Sequence, residues 1–596
     1  MGSDSGHWYR RIDSGLHEFF PAPFQDFIRK WIPLSLLIGI SVGLMTVLFQ
    51  VALNVVGFVF DPSRVPWYLI FLLPTIGGLL VGLIIPYFAE ETAGQGMDEV
   101  IHAIHYAGGR IRSIVPPVKA VVSALTINSG GSAGPEGPVG EIGAGAASIL
   151  GGWLKLRRSD LRTLVIAGAA AGFGAIFKAP LGGALFALET PYKNDLEHGA
   201  VIPALISSTT AYLVFILFPL PGFGPTPVLG SVTALPTYDL PHLALYMLIG
   251  LLAGLIAIAF VKVFFWISDG FSGWKMPFAV KTTLGGLVCG GFGVVLPGVL
   301  GLGYTWDQQL VLGNVGQVVV GDQLVTSFEL VLLSFAAMLL AKIAATSFTI
   351  GSGGSGGVMT PSIFIGGTLG AIIGILLQAT GFSFSSSILV VVGMGAMLAA
   401  ATKTPISSAV MLTEMTGGFN VLIPLILGTV MAYAVAGDYT LYKAQITRKS
   451  MPMDLSVLAR KTVRDVMTSP VVTLRPDMTV KDAYDLSILK GHYSYPVVDE
   501  SGVVLGVVYR RTLQQTHSKA PRTLIRSIME SHVEIINDDA PANEAFDVMN
   551  GSQITRMIVV DGEKHVMGML TRVDLLRAVE EPERPPAAPP PPAAPT

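Results

Sequence analysis

The residue with the clearest chemical potential in this sequence is a carboxylate in a glycine-rich break between apolar segments. The segment Thr126 to Pro138 reads TINSGGSAGPEGP and carries Glu136. Proline suits the first position of a helix, because its missing N–H would have no partner there, so we predict a helix that begins near Pro135 inside the bilayer. Such a helix presents free amide hydrogens and the positive end of its dipole, which together favour an anion.

The same pattern recurs 223 residues later, where Thr349 to Pro361 reads TIGSGGSGGVMTP. Lys119 and Lys342 keep this separation, and a second pair of breaks begins at Lys178 and Lys403, 225 residues apart. Paired interrupted helices in the two halves of a membrane protein indicate inverted repeats with a binding site between them at the midplane.

The composition is that of a membrane protein. Of the 596 residues, 51% are hydrophobic and 13% are charged, and the mean hydropathy is +0.60. Fourteen apolar runs lie between residues 33 and 436, and several exceed the ~20 residues needed to span a bilayer. The single cysteine, Cys289, excludes an intrachain disulfide and a thiolate metal cluster. Basic residues at 155–158 and 443–449 predict cytoplasmic faces, which places both termini in the cytoplasm.

A soluble region with its own repeat follows from about residue 451. The segment at 463–467 reads VRDVM and the one at 525–529 reads IRSIM, and each precedes alternating apolar strands. The predicted organisation is an amphipathic surface helix at the N-terminus, a transmembrane domain with two halves, two soluble modules and a disordered Pro/Ala tail. These occupy residues 1–30, 31–447 (halves about 31–220 and 240–447), 460–516, 522–580 and 581–596.

As a set, these motifs resemble the CLC family of chloride channels and proton-coupled anion exchangers over about residues 30–447, and the soluble tail resembles tandem CBS modules. The matching segments are Gly134–Pro138 for the family's GxEGP, Gly357–Pro361 for GxFxP, Tyr442 in TLYKA, and Gly94–Asp98 where the family has GSGIP. The resemblance implies an all-α polytopic membrane protein with inverted repeats and broken helices, joined to an α/β tandem CBS domain. It also implies a homodimer in the cell membrane, with one anion path in each subunit.

The resemblance makes Glu136 a gating carboxylate that occupies an anion site when ionised and leaves it when protonated. Tyr442 would donate its hydroxyl to the anion. The remaining residues of the expected anion-binding set are Gln95, Gly96, Gly134, Gly137, Val358 and Met359. Glu141 lies about 140° around the helix from Glu136, so we expect it to face elsewhere.

Two departures from the family pattern bear on function. Gln95 stands where the family usually has a serine, and its longer amide could donate to the anion while partly filling the inner entrance. Thr190 stands at the internal proton position, where proton-coupled relatives carry a glutamate, and threonine cannot carry a proton in that way. We therefore favour passive, channel-like chloride conduction gated by Glu136. Chloride/proton exchange through a non-standard internal proton path is the alternative. Glu189 and its counterpart Glu414 are interpreted as structural.

The second CBS module resembles a nucleotide-binding module. Residues 568–574 read GMLTRVD and match the pattern G-h-h-T/S-x-x-D, which implies that Asp574 binds the ribose of an adenine nucleotide and Thr571 assists with phosphate. The first module lacks this aspartate, so at most one nucleotide cleft is expected, with Thr473 and Tyr493 as wall residues. A purely structural dimerisation module is the alternative, and the sequence indicates no required cofactor.

Functions of other classes fit less well. An intramembrane hydrolase needs a nucleophile with a base or a metal cluster. His102 and His105 could bind a metal, but no HExxH motif or paired catalytic aspartates accompany them, so we interpret them as histidines on a polar helix face. A divalent cation transporter would need acidic residues clustered in the membrane half, whereas the broken helices offer mainly N–H groups. The protein is therefore not expected to be an enzyme, and the net charge of −3 indicates no nucleic-acid partner.

Overall fold

The computed structural model describes residues 22–218, 223–381, 383–447, 456–459, 461–531, 533–551 and 554–580. The chain forms two compact units, with the division between residues 448 and 449. Most of the predicted N-terminal surface helix, up to residue 21, and the predicted tail at 581–596 lie outside the described residues.

The described part of the first unit is built almost entirely from helices. In chain order they are α1 (Ala22–Val59), α2 (Leu72–Phe88), α3 (Met97–His105), α4 (Val115–Asn128), α5 (Glu136–Trp153), α6 (Arg158–Ile176), α7 (Pro180–Glu189), α8 (Val201–Ile216), α9 (Leu240–Gly273), α10 (Phe278–Val295), α11 (Tyr304–Val311), α12 (Phe328–Gly351), α13 (Met359–Gln378), α14 (Ser386–Thr402), α15 (Pro405–Met415) and α16 (Leu422–Ala436). A short antiparallel hairpin, β1 (Val318–Val320) and β2 (Gln323–Val325), precedes α12.

Each predicted apolar run coincides with a helix. Within the described residues, nine helical segments are long and apolar enough to cross a membrane. The sequence-based boundary at residue 30 falls inside α1, which runs unbroken into the first apolar segment. Two helices, α3 and α11, lie outside the predicted runs because they are short and only partly apolar.

The helices repeat in the same order in two halves, α1–α8 and α9–α16. The counterparts α3 and α11 each begin directly after a glycine with a positive φ angle, Gly96 and Gly303, both at +78°. Glycine adopts this backbone conformation without a steric penalty. The loops that lead into α3 and α11 can therefore make the same sharp turn.

A buried lysine holds each of these loops in place. The ammonium group of Lys119, on α4, donates to the carbonyls of Thr92 and Gly94 at 3.0 and 3.2 Å. The ammonium group of Lys342, on α12, donates to two carbonyls of the matching loop at 2.9 and 3.1 Å. The two lysines, which are equivalent in the sequence repeat, thus hold equivalent loops in the two halves of the fold.

The two halves also cap each other's helices. Glu189, at the end of α7, accepts hydrogen bonds from two amides at the start of α15, at 3.3 and 2.9 Å. Glu414, at the end of α15, accepts hydrogen bonds from two amides at the start of α7, at 3.2 and 2.7 Å. Carboxylates stabilise helix N-termini by satisfying free N–H groups, so both glutamates have the structural role predicted for them.

The second unit contains two modules of the same topology. Its described elements are α17 (Ser456–Ala459), α18 (Val463–Val466), α19 (Val480–Lys490), β3 (Ser494–Val498), β4 (Val504–Tyr509), α20 (Arg510–His517), β5 (Ile535–Asn537), α21 (Ala542–Gly551), β6 (Arg556–Val560), β7 (Val566–Thr571) and α22 (Arg572–Glu580). Strands β3 and β4 pair antiparallel, as do β6 and β7, while β5 pairs parallel with β6. Leu474 pairs with Val497 as β5 pairs with β6, so the first module repeats this arrangement.

Candidate functional site

The two glycine-rich breaks meet at a backbone bridge. The N–H of Gly134 donates to the carbonyl of Gly357 at 2.9 Å, and the N–H of Gly357 donates to the carbonyl of Gly134 at 2.7 Å. This bridge brings the N-termini of α5 and α13 together, as the inverted repeat predicted. It also corrects one prediction, because the amide of Gly134 is used in the bridge and is not free to bind an anion.

The carboxylate of Glu136 lies at the N-terminus of α13. Its Oε1 accepts hydrogen bonds from the backbone N–H groups of Met359 at 2.5 Å and Thr360 at 3.1 Å, and its Oε2 accepts one from the Thr360 hydroxyl at 3.0 Å. Glu136 is fully buried. A charged carboxylate at this depth is tolerated because helix N-terminal amides satisfy it. Free amides at a helix N-terminus are donors that can bind an anion, and in this structure Glu136 occupies them.

Glycines make this close approach possible. A Cβ added to Gly357 would overlap the side chain of Glu136, and a Cβ added to Gly137 would overlap the carbonyl oxygen of Gln95. At Gly96 it would meet the Glu141 carboxylate at 2.8 Å. Gly137 is the second residue of α5, where amide hydrogens point out of the helix start. Its predicted role as an anion donor, and that of Gly96, stays a prediction.

The side chain of Gln95 is not a free donor in this structure. Its Nε2 donates to the Asp98 carboxylate at 2.8 Å and to the Leu441 carbonyl at 2.7 Å, which uses both amide hydrogens. Asp98 also accepts a hydrogen bond from the N–H of Ala444 at 3.1 Å. Gln95 and Asp98 therefore bind α3 to the segment that carries Tyr442. The expected donation from Gln95 to an anion does not occur in this conformation, because both amide hydrogens are used within the protein.

The other predicted donors lie near Glu136. Tyr442 is 1% exposed, and its backbone N–H donates to the Thr440 hydroxyl at 3.2 Å. Val358 directly precedes α13, and Met359 is its first residue and already donates to Glu136. Their placement is compatible with the predicted anion-binding roles, which the structure itself does not test.

Thr190 is buried, and its hydroxyl is committed within its own helix. The Oγ1 atom donates to the carbonyl of Phe186 at 2.5 Å. The backbone carbonyl of Thr190 accepts a hydrogen bond from the Gln445 side chain at 2.8 Å. No ionisable group therefore stands at residue 190, as the sequence already implies.

Two residues of the site were missed by the sequence analysis, Thr360 and Tyr304. Thr360 holds both oxygens of the Glu136 carboxylate, and the Tyr304 hydroxyl lies 3.4 Å from the Thr360 hydroxyl. Thr360 lies inside the quoted GVMTP motif, so the motif could have identified it. Tyr304 follows Gly303, the counterpart of Gly96, and an alignment of the two halves at these glycines would have been the signal for it.

The remaining ionisable candidates lie elsewhere. Glu141 faces Lys119 at 3.0 Å, away from the Glu136 position, as predicted. His105 is hydrogen-bonded to the carbonyl of Pro191 at 2.9 Å, and the ring of His102 lies 5.2 Å from that of Tyr106. Within the described residues, no group of three or more His, Cys, Asp or Glu side chains is placed to hold a metal.

The second unit contains a cavity of about 530 Å³ between its two modules. Tyr493 and Thr571 line it, as predicted, together with Arg556 and Arg572. Asp574, the predicted ribose ligand, does not line the cavity. It accepts hydrogen bonds from Thr571, at 2.9 Å from the N–H and 2.6 Å from the hydroxyl, and so caps its own helix.

The prediction for Thr473 is not supported by this geometry. Residues 468 and 470–472 line the cavity at the corresponding position, and Thr473 does not. Thr468 also reaches Asp574, with its hydroxyl 3.4 Å from Oδ1. Thr468, five residues before Thr473, lines the cavity.

Comparison with known proteins gives the same division of the chain. The family model described as voltage gated chloride channel matches residues 77–437, and the CBS domain model matches residues 463–515 and 525–581. A protein of Ralstonia nicotianae is named as a ClcB-like chloride channel protein. It is 31% identical over 418 residues, which is 67% of this chain and 92% of that protein.

Proteins that are named as proton-coupled transporters are also similar to this chain. The H(+)/Cl(-) exchange transporter ClcA of Yersinia pseudotuberculosis is 26% identical over 70% of this chain and 87% of that protein. The crystal structure of a CLC-type fluoride/proton antiporter superposes with a TM-score of 0.60 at 25% identity, over 70% of this chain and 98% of that one. The broken helices, the bridged glycines and these matches agree, and the chain belongs to the voltage gated chloride channel (CLC) family, with tandem CBS domains at its C-terminal end.

Proposed function

We propose that this protein moves chloride or a similar small anion across a membrane through the Glu136 site, and that protonation of Glu136 opens the path. The observation that carries this proposal is the position of the Glu136 carboxylate on the amides of Met359 and Thr360. A protonated glutamate has lost the charge that these amides stabilise, so an anion can replace it. Proton binding and anion binding are therefore linked at one set of donors.

The donor set suits an anion that must also leave. The groups around the Glu136 carboxylate are two backbone amides and a hydroxyl, all of them neutral. Conduction requires binding that is strong enough for entry but weak enough for exit, and a fixed cation could trap the ion. Because Gln95 replaces the usual serine, the candidates for the preferred anion include nitrate, bromide and fluoride as well as chloride.

We favour passive conduction over proton-coupled exchange. Thr190 carries no ionisable group at the internal proton position, and its hydroxyl is bonded to Phe186. The alternative is chloride/proton exchange, with protons taking a different internal path. The similarity to relatives that are named as proton-coupled transporters supports this alternative. A protein that exchanges chloride for protons would move protons uphill when a chloride gradient is imposed.

The cellular setting is part of the same proposal. We place the protein in the cell membrane as a homodimer because it belongs to the CLC family. The basic residues at 155–158 and 443–449 support a cytoplasmic position for both termini. The cavity of the second unit would bind an adenine nucleotide, whose phosphates would face Arg556 and Arg572. The CBS modules would in this way regulate transport.

The test is reconstitution of the full chain in liposomes. Native protein should show chloride flux that rises as pH falls, and Glu136→Gln should show flux that no longer responds to pH. Glu329→Gln, at an exposed glutamate on α12, is the matched control and should keep the native response. An unchanged pH response in Glu136→Gln would remove Glu136 from its role, and uphill proton movement would favour exchange over passive conduction.

A further inference from the structure

The two buried lysines of the repeat have different partners for their positive charge. The ammonium of Lys119 lies 3.0 Å from the Glu141 carboxylate on α5, and both side chains are buried. The separation of 223 residues between the halves makes Phe364 the counterpart of Glu141. The ammonium of Lys342 lies 4.8 Å from the centre of the Phe364 ring, and an aromatic ring attracts a cation through its face. The second half thus uses a ring where the first half uses a carboxylate.

The buried acid of the second half does not form an equivalent pair. Asp307, on α11, is fully buried, and neither of its carboxylate oxygens is hydrogen-bonded to a described residue. Replacing a buried ion pair by apolar groups is often neutral or stabilising, and Phe364 shows that the fold accepts a ring at this position. Stability alone therefore does not explain the carboxylate at residue 141.

Lys119 is bonded to the loop that holds the second glycine-rich break. Its ammonium donates to the carbonyls of Thr92 and Gly94, in the loop that precedes α3. The same two carbonyls accept hydrogen bonds from the break, at 2.7 Å from the Ser355 hydroxyl and at 3.1 Å from the Gly356 N–H. The Lys119 ammonium and the break before α13 therefore share two acceptors.

This break positions the donors of the Glu136 site. Gly356 is followed by Gly357, which is bridged to Gly134, and α13 begins two residues later. The first two amides of α13, those of Met359 and Thr360, are the ones that donate to Glu136. Hydrogen bonds weaken steeply when their distance and angle change. A shift of the break would therefore weaken the hold of these amides on the carboxylate.

The charged groups around Glu141 leave Lys119 as its ion-pair partner among the described residues. Glu141 lies on the wall of a cavity of about 120 Å³. Arg112, also on this wall, is paired with Glu91 at 2.8 Å. The other charged or titratable side chains on the wall are Glu99, His102 and Arg110.

The helices packed against α5 add few further charges. Helix α4 has Lys119 as its one ionisable residue, and α13 has none. Helices α1 and α6 carry theirs at 26–30 and 158–162, where Lys30 pairs with Asp160. The contact between Glu141 and Lys119 can therefore be tested by substitution of these two residues.

We propose that Glu141 is a positioning residue for the anion path, a proposal that rests on the proposed gating role of Glu136. The Glu141 carboxylate supplies the countercharge that keeps the Lys119 ammonium on the two loop carbonyls. Without it, Lys119 is a buried unpaired charge, which is costly. The lysine then loses a proton or leaves its place, and either change weakens its bonds to the loop, because charge-assisted hydrogen bonds are the stronger ones.

The effect reaches Glu136 through the amides of α13. When the loop and the break are held less firmly, these amides stabilise the ionised form of Glu136 less. Glu136 is then protonated at higher pH, and the path opens at higher pH. The direct effect of losing a negative charge near Glu136 has the opposite sign, because a like charge disfavours ionisation and its removal favours it. The direction of the shift therefore distinguishes positioning from a through-space effect.

The experiment measures chloride flux against pH in liposomes that contain the full chain, and its readout is the pH of half-maximal flux. Glu141→Gln keeps the size of the side chain and removes its charge, and Lys119→Met removes the ammonium. Each variant should raise this pH by about 0.5–1 unit, which corresponds to one ordinary hydrogen bond. The double variant should shift no further than Lys119→Met, because Glu141 acts through Lys119. Glu99→Gln, at an exposed glutamate on the same cavity wall, is the matched control and should keep the native value.

The outcomes separate positioning from a structural role and from the gating proposal. A native or lowered pH of half-maximal flux in Glu141→Gln overturns the proposal, and so does a double variant that shifts by the sum of the two single shifts. Where Glu141→Gln fails to fold, the double variant, which buries no unpaired charge at this place, carries the test, and a native value in it overturns the proposal. If Glu136→Gln keeps the native pH response, the gating proposal fails. If Glu136→Gln loses that response while Glu141→Gln behaves as native, the positioning role alone fails.

Discussion

Gly134 and Gly357 are counterparts in the two halves of the chain, and each donates a backbone hydrogen bond to the other. Two equivalent residues can pair reciprocally only if the approximate two-fold axis passes between them. The axis of the inverted repeat therefore runs through the site where the helix N-termini meet. Any anion held by both N-termini would lie close to this axis.

Hydroxyl pairs around the bridge follow the same symmetry. The Ser123 and Ser355 hydroxyls lie 2.8 Å apart, and their counterparts Thr346 and Ser132 lie 2.9 Å apart. Each pair joins one half to the other. The breaks are thus fixed by matching contacts on both sides, which preorganises the amides before any ligand is present.

Substitution of Gly357 by alanine should displace Glu136. The added methyl group would overlap the Glu136 side chain, and Gly357 does not have a positive φ angle, so the backbone can accept an alanine. We expect chloride flux at neutral pH to rise and its dependence on pH to weaken, which liposome flux assays at several pH values would measure.

The matched control for this change is Gly291→Ala, since a Cβ at Gly291 would meet no atom within 4 Å. In a Glu136→Ala background the overlap is absent, so Gly357→Ala should then add no further effect. An additive effect in the double variant would show that Gly357 acts by another route.

Replacement of Gln95 by serine should open the inner side of the path. The change removes the hydrogen bond to the Leu441 carbonyl, which joins the start of α3 to the segment before Tyr442, and a local hydrogen bond to Asp98 on α3. A hydrogen bond is worth about 1 kcal/mol, which corresponds to roughly fivefold in a rate. We therefore expect chloride flux to increase by about that factor or more. Equal flux and unchanged anion selectivity in the variant would contradict this assignment.

Binding of an adenine nucleotide should depend on the cavity of the second unit. Equilibrium dialysis of the full chain with ATP is expected to show binding that Arg556→Ala weakens, because Arg556 lines the cavity. Thr473→Val is the control, since Thr473 does not line it. A ligand at 100 times its Kd would stabilise the unit that binds it by about 2.7 kcal/mol. No ATP binding by the native chain would favour a purely structural module.

The two modules should lose local stability in acid at matching turns. The Ser501 hydroxyl and nearby N–H groups lower the pKa of Asp499, and the N–H of His565 lowers that of Asp561. Because these pKa values are below the unfolded value of about 3.9, the turns are fully stabilised above that pH. The stabilisation is lost as pH falls through the folded pKa.

Hydrogen–deuterium exchange of the full chain can follow this loss. The protection of amides at residues 501–504 relative to their intrinsic exchange rates should decrease as pH falls below about 3.9. Asp499→Asn should show fast exchange at neutral pH already, whereas substitution of the exposed Glu500 by glutamine should not. Native-like protection in Asp499→Asn would exclude the carboxylate as the stabilising group.

The repeat could be predicted because the same residue types recur in both halves of the sequence. Glycine breaks, Lys119 and Lys342, and the apolar runs recur at nearly constant separations, and the helices follow them closely. The helix α11 could not be identified in this way, because YTWDQQLV is too short and too polar to be distinguished from a loop by periodicity. Tyr304 and Asp307 were missed with it.

The use of Gln95 could not be predicted either. Whether an amide faces an anion or a protein group depends on which acceptors lie within about 3 Å, and the Leu441 carbonyl is 346 residues away in sequence. A motif position gives the residue type but not the partner. The prediction that the Gly134 amide binds an anion was wrong for the same reason, because this amide donates to the Gly357 carbonyl in the other half.

The two halves of the fold are nearly equivalent in backbone, but they differ where it matters for ions. Met359 occupies the position in the second half that Glu136 occupies in the first. The site where the two helix N-termini meet therefore contains one acid rather than two. Together with Asp307, which has no acidic counterpart at Val100, this gives a symmetric framework a built-in polarity. With the proposed gating role of Glu136, we expect molecules inserted into a vesicle in opposite orientations to respond to acid in opposite compartments, so that acidifying one side alone distinguishes the two populations.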